Sequence, residues 1–484
     1  MPTPLYKKYC ALPIEMKSRM SAQLGPLEEA TAFDLPQDKF THYACTDPVV
    51  TRRIQDIFLP QIHSMGLDKV MAIDHAIIPM VADMMSRGML IDQQHFKNVK
   101  EVLVSLMDEK AIEIKGMFPG LIDNPGSDDE VAQLLFSHLH LKYLYLTDSG
   151  KRPSVDKETL DTLEDAHPVV PHISAWRELE TLLTTFAGPL LKRVQSSVDG
   201  RIHPNILLTR QPTGRLSTKQ PNLLAIPTRT QMGKLIREGF IPTPGYSFLS
   251  CDFSQLEARI LAHLSKDETL CEVFKSGVDP FKATAATLWG IPVSSVTKEA
   301  RDVTKTVFYL IIYGGSAEGL SVRLIGQGLT EWTVTKVTDF INGFFKLYPG
   351  VPIFISQCHA EARATGMIHD MFGRYKYAPQ VRSTKKHVRE EGLRQVQNFP
   401  MQSSASGIMK LAMKMVWDWM QTIPPQEYWV DLQIHDELLG ETIQGEEEEM
   451  GKQVSGIMEG AIELRVPLKA KYCWSPLSWG RVPK

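Results

Sequence analysis

The chain has 484 residues, enough for two to four domains with sizeable cores. Hydrophobic residues make up 43% and charged residues 23%, a composition typical of a globular protein. No stretch approaches ~18 uninterrupted apolar residues, so we expect no membrane span, and the N-terminus lacks the apolar core of a secretory signal. The six cysteines are scattered without a C-x-x-C pair, which argues against a zinc knuckle or a disulfide frame and predicts a cytoplasmic protein.

The segment from about Val70 to Val194 is predicted to be mostly helical, with one interruption at the turn-rich sequence TDSGKRPSV. Within it, Ser127 follows the helix-breaking sequence NPG and forms a plausible capping box with Glu130. From Arg201 onwards short strands and turns appear among the helices. We therefore predict a domain boundary near residue 200 and a second one near residue 60.

Basic residues are concentrated in two segments, although a net charge of −3 does not by itself indicate a nucleic-acid binder. The first segment, residues 201–240, contains one acid, Glu238. The second, residues 374–394, interleaves its cations with Tyr375 and Tyr377. This mixture suits a phosphate backbone with exposed bases, and solvated surface loops are the simpler alternative. The cations are Arg201, Arg210, Arg215, Lys219, Arg229, Lys234 and Arg237 in the first segment and Arg374, Lys376, Arg382, Lys385, Lys386, Arg389 and Arg394 in the second.

The sequence YSFLSCDFSQLEARILAHLS predicts a short strand followed by a helix. Asp252 lies at the junction, where a carboxylate can face a cleft. Ser254 is predicted to start the helix, and Ser254 with Glu257 reads as a capping box that needs no ligand.

The sequence VTKEARDVTKTVFYLIIYGG predicts a helix that Thr297 caps and Gly314 ends. Two cations and then two phenols recur at every fourth position and therefore share one broad face. Such a face suits a polyphosphate at one end and a stacked ring at the other, and a solvated helix with buried tyrosines is the alternative. The four residues are Arg301, Lys305, Tyr309 and Tyr313.

Two further segments carry polar residues in suggestive positions. In RQVQNFPMQ, residues Arg394, Asn398 and Gln402 are four apart, a spacing that suits reading of base edges or an ordinary polar helix surface. In QIHDELLG, the alternation of a half-buried strand breaks at a turn that presents Asp436 and Glu437.

The combination of these segments predicts nucleotidyl transfer. Asp252 and Asp436, at the ends of separate strands, suit a pair of Mg²⁺ ions because hard cations prefer oxygen ligands. Two such ions ~4 Å apart activate an attacking hydroxyl and stabilise a leaving pyrophosphate. Arg301 and Lys305 would neutralise a triphosphate, and the two basic segments would hold nucleic-acid strands.

Five motifs resemble those of family A DNA polymerases of the bacterial DNA polymerase I type, some of which are phage enzymes. They are TGRLSTKQPNLLAIPTR, DFSQLEARILAHLS, R-x-x-x-K-x-x-x-Y-x-x-x-YG, RQVQNFPMQ and QIHDE, in that family's order and over about residues 20 to 484. The resemblance implies an α/β (α+β) right-hand fold. Its parts would be an exonuclease-like remnant (1–62), a helical thumb (63–200), palm (201–265), fingers (266–393) and palm again (394–484).

The resemblance also implies roles, partners and cofactors. Asp252 and Asp436 would bind two Mg²⁺ ions, for which Mn²⁺ can substitute, with Lys305 as a third catalytic residue, and Glu257 would exclude a ribose 2′-hydroxyl. The implied nucleotide-binding residues are Arg301, Lys305, Tyr309, Tyr313, Glu257 and Gln255. The implied DNA-binding residues are Arg215, Arg229, Arg394, Asn398, Gln402, His435, Glu437 and Arg177. The partners would be primer-template DNA and deoxynucleoside triphosphates, for a monomer at the nucleoid or in a host cytoplasm.

Two departures from the family pattern concern the nucleotide. Tyr309 stands where many bacterial relatives have Phe, as in some phage enzymes, and its hydroxyl can replace the hydrogen bond of a missing 3′-hydroxyl. We therefore expect ready incorporation of dideoxynucleotides. Phe281 stands where the family often has His, so one triphosphate contact is lost or moved, and affinity would depend more on Arg301, Lys305 and Lys282.

A third departure concerns proofreading. HYACTDPVVTRR resembles the last motif of the family's 3′–5′ exonuclease domain, with Tyr43 and Asp47 matching its Tyr and Asp. Only 42 residues precede Tyr43, too few for the other carboxylates of a metal exonuclease. We expect no proofreading from this chain alone, with the remainder either cut away or supplied by a separate polypeptide.

Two rival functions remain as alternatives. A single-subunit RNA polymerase shares the two aspartates and the Arg–Lys–Tyr helix but should lack the acids at Glu257 and Glu437. A DNA-binding scaffold that has lost catalysis should first lose Asp252, Asp436 or Lys305, and all three are present.

Overall fold

The computed structural model describes residues 37–143, 146–147, 152–227, 230–326 and 329–483. Arg229, which is predicted to contact DNA, lies outside these residues. The chain divides into two compact units, Met1–Ala72 with Phe372–Arg374 and Ile73–Met371 with Tyr375–Lys484. This division does not test the predicted domain boundaries, which stay predictions. In the described part of the chain, no helix is long and apolar enough to span a membrane.

The first helices confirm the helical pattern predicted for this part of the chain. Tyr43 and Asp47 both lie on α1, in the smaller unit. The helices are α1 (Gln37–Ser64), α2 (Asp68–Ala76), α3 (Ile78–Arg87), α4 (Gln93–Met117), α5 (Asp128–Ala132), α6 (Lys157–Thr162), α7 (Val169–Thr181) and α8 (Gly188–Ser196). Two of them, α5 and α7, continue into π-helical turns at Gln133–His138 and Leu182–Ala187.

The predicted capping box at the start of α5 is half formed. The Ser127 hydroxyl accepts the Glu130 N–H at 3.3 Å, as predicted. The Glu130 carboxylate instead accepts the N–H groups of Asp123 and Asn124, at 2.7 and 2.8 Å. It therefore fixes the loop before the helix, and a buried cluster around Ile173 and its neighbours forms the core here.

Short strands and one helix lead into the central sheet. Two small antiparallel pairs join β1 (Met89–Leu90) to β2 (Arg201–Ile202) and β3 (Asn205–Leu207) to β4 (Ser217–Lys219). Helix α9 (Gln231–Glu238) then precedes β5 (Tyr246–Phe253). In the described residues, seven α-helices follow before the next strand: α10 (Leu256–Ser265), α11 (Glu268–Lys275), α12 (Pro280–Trp289), α13 (Lys298–Tyr313), α14 (Ala317–Gly326), α15 (Val334–Leu347) and α16 (Gly350–Thr365).

The last part of the chain completes the sheet. Its elements are the hairpin of β6 (Met367–His369) and β7 (Tyr375–Tyr377), the long helix α17 (Lys386–Met420), β8 (Tyr428–Ile434), β9 (Glu437–Ile443), α18 (Glu447–Glu459) and β10 (Ala470–Ser475). The four-stranded sheet is antiparallel with strand order β10-β5-β9-β8.

Strand β8 is buried along its whole length, so the expectation of a half-buried strand was wrong. The Tyr428 ring packs on Trp419 of α17, with 5.9 Å between ring centroids. Arg87 of α3 stacks over Trp429, 5.2 Å from its ring centre. One contact therefore comes from α17, which directly precedes the strand, and the other from α3, which is distant in the sequence.

Helix α13 begins and ends as predicted. The Thr297 hydroxyl accepts the Ala300 N–H at 3.1 Å, and Gly314 ends the helix in the left-handed conformation with φ 68°. The prediction for α10 was wrong, because that helix begins at Leu256 after Gln255, whose φ is 56°. Ser254 therefore does not cap α10, and the carboxylate of Glu257 is available for other partners.

Candidate active site

The two aspartates that were predicted to bind metal lie side by side, at the same end of neighbouring strands of the sheet. Asp252 lies near the end of β5, and Asp436 lies in the turn that joins β8 to β9. Asp252 is directly opposite Glu437 in the register of β5 with β9. The Phe253 N–H also donates a 3.0 Å hydrogen bond to the Asp436 carbonyl oxygen. The two acids are therefore held together by backbone pairing.

The turn that carries Asp436 is unusually tight. His435 has a φ of 53°, a left-handed conformation that non-glycine residues seldom adopt. The side-chain amide of Gln433 donates a 2.5 Å hydrogen bond to the His435 carbonyl oxygen and so stabilises this conformation. The His435 side chain is exposed, whereas Glu437 is buried and accepts a 2.7 Å hydrogen bond from the Ser250 hydroxyl.

A cleft of about 590 Å³ opens over this end of the sheet. It brings together the predicted metal-binding acids and most of the predicted nucleotide-binding residues. The predicted residues that line it are Asp252, Gln255, Glu257, Lys305, Tyr309, Tyr313, Arg215, His435, Asp436 and Glu437.

Negative charge accumulates in this cleft. Burial, together with the neighbouring carboxylates of Glu257 and Asp252, raises the pKa of Asp436 to about 7, although the guanidinium of Arg215 opposes the shift. The same carboxylates and burial raise the pKa of Tyr309 far above its ordinary value, so its hydroxyl stays protonated. The charge balance of the cleft therefore favours an added cation.

The residues present fit divalent metal ions of the Mg²⁺ type. Asp252 and Asp436 supply hard carboxylate oxygens from neighbouring backbone segments, and Mg²⁺ usually takes one or two carboxylates with the remaining positions left to water and phosphate. The raised pKa of Asp436 also indicates a charge that its protein neighbours do not compensate. A bound cation would remove that cost.

Glu257 is held by two partners and not by a capping box. Glu257 is 5% exposed. Its carboxylate accepts hydrogen bonds from the Arg215 guanidinium and from the Tyr313 hydroxyl, each at 2.5 Å. The Tyr313 ring stacks on Tyr309 with 6.1 Å between centroids. Glu257 therefore links the sheet side of the cleft to α13.

Arg301 does not line the cleft. Its guanidinium contacts Asp279 at 2.8 and 3.0 Å and Asp302 at 2.9 Å. Phe281 is fully buried against Phe308 and Tyr309, so it packs as part of an aromatic cluster. Arg301, one of the two cations that were predicted to bind a triphosphate, is therefore held by carboxylates of the chain itself.

The predicted contacts on α17 meet the end of α13. Asn398 donates its amide to the Tyr313 carbonyl oxygen at 3.2 Å, Arg394 is exposed and Gln402 is half-buried. Gln397, which no sequence pattern singled out, is buried and donates its amide to the carbonyl oxygens of Ile311 at 2.5 Å and Ile312 at 3.5 Å. Helix ends leave such carbonyls without partners, so these side chains complete the α13 terminus.

Arg237 lies in the cleft wall as well, although the sequence analysis recorded it only as one cation of a basic segment. It is 3% exposed, donates to the Ile226 carbonyl oxygen at 2.9 Å and stacks 4.0 Å over Trp479. Burial lowers its pKa to about 10 against the attraction of Glu437. Its position directly after the apolar pair in KLIREGF was the available signal.

Arg177 has partners inside its own region. It donates to the carbonyl oxygens of Pro125 and Val155 and lies 3.0 Å from Asp128. These contacts fix the loops around α5 and α7, so the structure gives Arg177 a structural role. Its predicted contact with DNA stays a prediction.

A sequence model described as DNA polymerase family A matches residues 93–481, well over half of the chain. The chain belongs to this family. Members of DNA polymerase family A generally depend on divalent metal ions, in keeping with the paired carboxylates of the cleft.

Individual relatives agree with this assignment. DNA polymerase I of Caldicellulosiruptor bescii is 34% identical over 400 residues, which cover 82% of this chain and 45% of that protein. The thermostable DNA polymerase I of Thermus filiformis is 32% identical over 436 residues, 90% of this chain and 51% of that protein. The chain thus spans about half the length of the curated relatives it matches.

A solved polymerase structure shares the fold of this chain. The POL domain of Pol1 from M. smegmatis, in complex with DNA primer-template and dNTP, superposes with a TM-score of 0.80 at 30% identity. The match covers 92% of this chain and 76% of that one. The predicted mixed α and β polymerase fold is therefore confirmed.

Proposed function

We propose that this chain is a template-directed, DNA-dependent DNA polymerase that adds deoxynucleoside triphosphates to a primer 3′ end. The observation that carries the proposal is the meeting of Asp252 and Asp436 at one end of the sheet, across a cleft from Lys305, Tyr309 and Tyr313. Membership of DNA polymerase family A supports it. The M. smegmatis relative, described with primer-template and dNTP, supports the same substrates.

The chemistry assigns different tasks to the two walls of the cleft. Two divalent ions, Mg²⁺ or in its place Mn²⁺, would be held by Asp252 and Asp436 and would supply activation of the primer 3′-hydroxyl and stabilisation of the leaving pyrophosphate. Lys305 would face the triphosphate from α13, with Arg301 joining it after release from Asp279. Gln255, at the start of α10, would contribute to the nucleotide pocket.

Sugar selection would depend on Glu257 and Tyr309. The Glu257 carboxylate is held rigidly by Arg215 and Tyr313, so a ribose 2′-hydroxyl would meet a fixed acid. The Tyr309 hydroxyl lines the cleft as a hydrogen-bond donor, and this supports the proposed acceptance of dideoxynucleotides. Tyr313 would pack beside the templating base.

The DNA would contact residues of both cleft walls and of α17. We propose that His435 and Glu437 support the primer end and that Arg215 lies beside the terminal base pair. Arg394, Asn398 and Gln402 would contact primer and template near their junction, and Arg177 and Arg229 would complete the set. The absence of proofreading, the separate exonuclease polypeptide and the monomeric state stay predictions.

Primer extension tests this proposal. A labelled primer on a recessed template is supplied with Mg²⁺ and, in separate reactions, deoxynucleotides, ribonucleotides or dideoxynucleotides. We expect extension by deoxynucleotides, termination by dideoxynucleotides and weak use of ribonucleotides. Glu257→Ala should raise ribonucleotide incorporation while retaining deoxynucleotide extension.

The controls separate this function from its rivals. Asp436→Asn should bind the same DNA without extending it. Efficient ribonucleotide extension by the parent would favour an RNA polymerase. DNA binding by the parent without any extension would favour a scaffold and would contradict the proposal.

A further inference from the structure

One basic residue stands beside the metal-binding acids on the edge strand. In the antiparallel register of β10 with β5, Lys471 lies directly opposite Asp252. Side chains that are directly opposite across two strands share a face of the sheet, with Cβ atoms ~5 Å apart. Lys471, Asp252 and Glu437 therefore form a row across three neighbouring strands, β10, β5 and β9.

Asp252 and Glu437 line the cleft, so the face of the sheet that carries Lys471 is the one next to the cleft. The alternation of the strand places Tyr472 on the other face. There, α18 approaches so closely that a Cβ atom added at Gly451 would lie 2.3 Å from the Tyr472 ring. Lys471 itself is exposed, as is Asp252. Its ammonium group therefore extends from the open face.

Lys471 differs from Lys469, which lies just before β10. Lys469 forms a 2.9 Å ion pair with Glu459, whereas no ion pair holds Lys471 within the described residues. The Lys469 carbonyl oxygen also accepts the Ser254 N–H at 2.7 Å, which ties the start of β10 to the segment between Asp252 and α10. Lys471 is therefore positioned next to that segment and is available for an anion.

Within the described residues, Lys305 is the cation of α13 that lines the opposite wall of the cleft. Arg301 is engaged by Asp279 and Asp302, and the fully buried Phe281 carries no charge. A nucleoside triphosphate has several negative charges, and Lys305 supplies one cation from α13. A second cation on the sheet side would complete a clamp on the polyphosphate.

We propose that Lys471 contacts the β- and γ-phosphates of the incoming nucleotide, the portion that leaves as pyrophosphate. The inference rests on the proposed polymerase function. Lys471 acts on the anion from the sheet side, whereas Lys305 acts from the helix side. The ligand class is a polyphosphate, met first as a triphosphate and later as free pyrophosphate.

Nucleotide binding without turnover tests the contact. The full chain is bound to a primer-template with a dideoxy-terminated primer, and deoxynucleotide affinity is titrated in Ca²⁺. Lys471→Gln should weaken nucleotide binding about 3- to 10-fold, Lys471→Arg should restore it and Lys469→Gln should match the parent. In Mg²⁺, the KM for pyrophosphate in the reverse reaction should rise for Lys471→Gln while primer-template affinity is unchanged.

Two results would overturn the contact. Unchanged nucleotide and pyrophosphate binding by Lys471→Gln would make Lys471 a solvated surface residue. Weaker primer-template binding with unchanged nucleotide affinity would make it a contact of the DNA backbone. Failure of the parent itself to extend a primer would instead reject the polymerase function, so the two failures are distinguishable.

Discussion

Two pairs of carboxylates lie on the same sheet, and they meet the cost of crowded negative charge in different ways. Asp252 and Asp436 lie at the turn end of the sheet, where a cleft opens. Asp431 and Glu441 lie farther along β8 and β9 and are fully buried. Burial and a neighbouring carboxylate raise the pKa in both places.

The difference lies in what each pair can recruit. The buried pair has local hydrogen bonds, from the Trp429 indole to Asp431 and from the Thr243 N–H to Glu441. The guanidinium groups of Arg87 and Arg201 lower its pKa from a distance without an ion pair in the described structure. Such a pair reduces its charge by keeping a proton. The cleft pair can exchange its proton for a metal ion, and a bound metal ion would allow it to take part in catalysis.

The largest expected effect comes from removing a charge of the cleft pair. Asp436→Asn should reduce the rate of primer extension by about 10³-fold, the scale of losing one electrostatic stabiliser of a transition state. Asp431→Asn is the matched control, because it makes the same change in the buried pair. Single-turnover extension measures both, and an equal loss in the two variants would remove the distinction between the pairs.

The second effect concerns the pH dependence of metal binding. Because the pKa of Asp436 is about 7, a divalent ion must displace a proton below that pH. The apparent affinity for Mn²⁺ should therefore fall up to about tenfold for each pH unit below 7. Calorimetric titration of the DNA-free protein checks this. A flat profile between pH 5.5 and 7 would contradict the assignment.

The third effect concerns the stability of the buried pair. The pKa of Asp431 is raised in the folded chain, so its contribution to stability is present below the ordinary aspartate pKa of ~4 and is lost as pH rises. Asp431→Asn removes this dependence. As the pH rises from 5 to 8, the free energy of unfolding should therefore fall less for the variant than for the parent. Urea unfolding at several pH values measures this difference. A steeper fall in the free energy of unfolding of the variant would be evidence against a proton held by Asp431.

The smallest effect is a shift within the cleft. Glu257 raises the pKa of Asp436, so Glu257→Gln should lower that pKa by less than about one unit. The midpoint of Mn²⁺ binding against pH should then move to lower pH. The glutamine carbonyl oxygen can accept from Arg215 and its amide NH₂ can donate to the Tyr313 hydroxyl oxygen, so both contacts can be kept. An unchanged midpoint would indicate that Glu257 is too well paired to influence the metal site.

The acids of the cleft could be predicted from the sequence because local patterns carry them. A strand that runs into a helix at Asp252, and a strand broken at Asp436, mark residues that face open space whatever the rest of the fold does. The caps of α13 were predicted for the same reason, since Thr297 and Gly314 act within one turn of their own position.

Other features depend on contacts between distant residues, which no local pattern reveals. Glu257 fits a capping box by spacing, and only the fold brings Arg215 to it from 42 residues away. Arg301 matched a phosphate-binding pattern, but Asp279, 22 residues earlier, holds its guanidinium. The burial of Trp429 on β8 likewise depends on Arg87 of α3, far earlier in the chain.

Because its C-terminal end is fastened to α17, α13 could tilt like a lever together with α12, to which Asp279 ties its other end. Gln397 and Asn398 fasten its last carbonyls to α17, whereas Arg301 lies about 18 Å away along the axis, at 1.5 Å per residue. A tilt of about 10° about the fastened end would carry Arg301 through roughly 3 Å and move Tyr313 hardly at all. The pivot would therefore lie beside Tyr313, the residue proposed to meet the template. The largest displacement would occur where the triphosphate would enter.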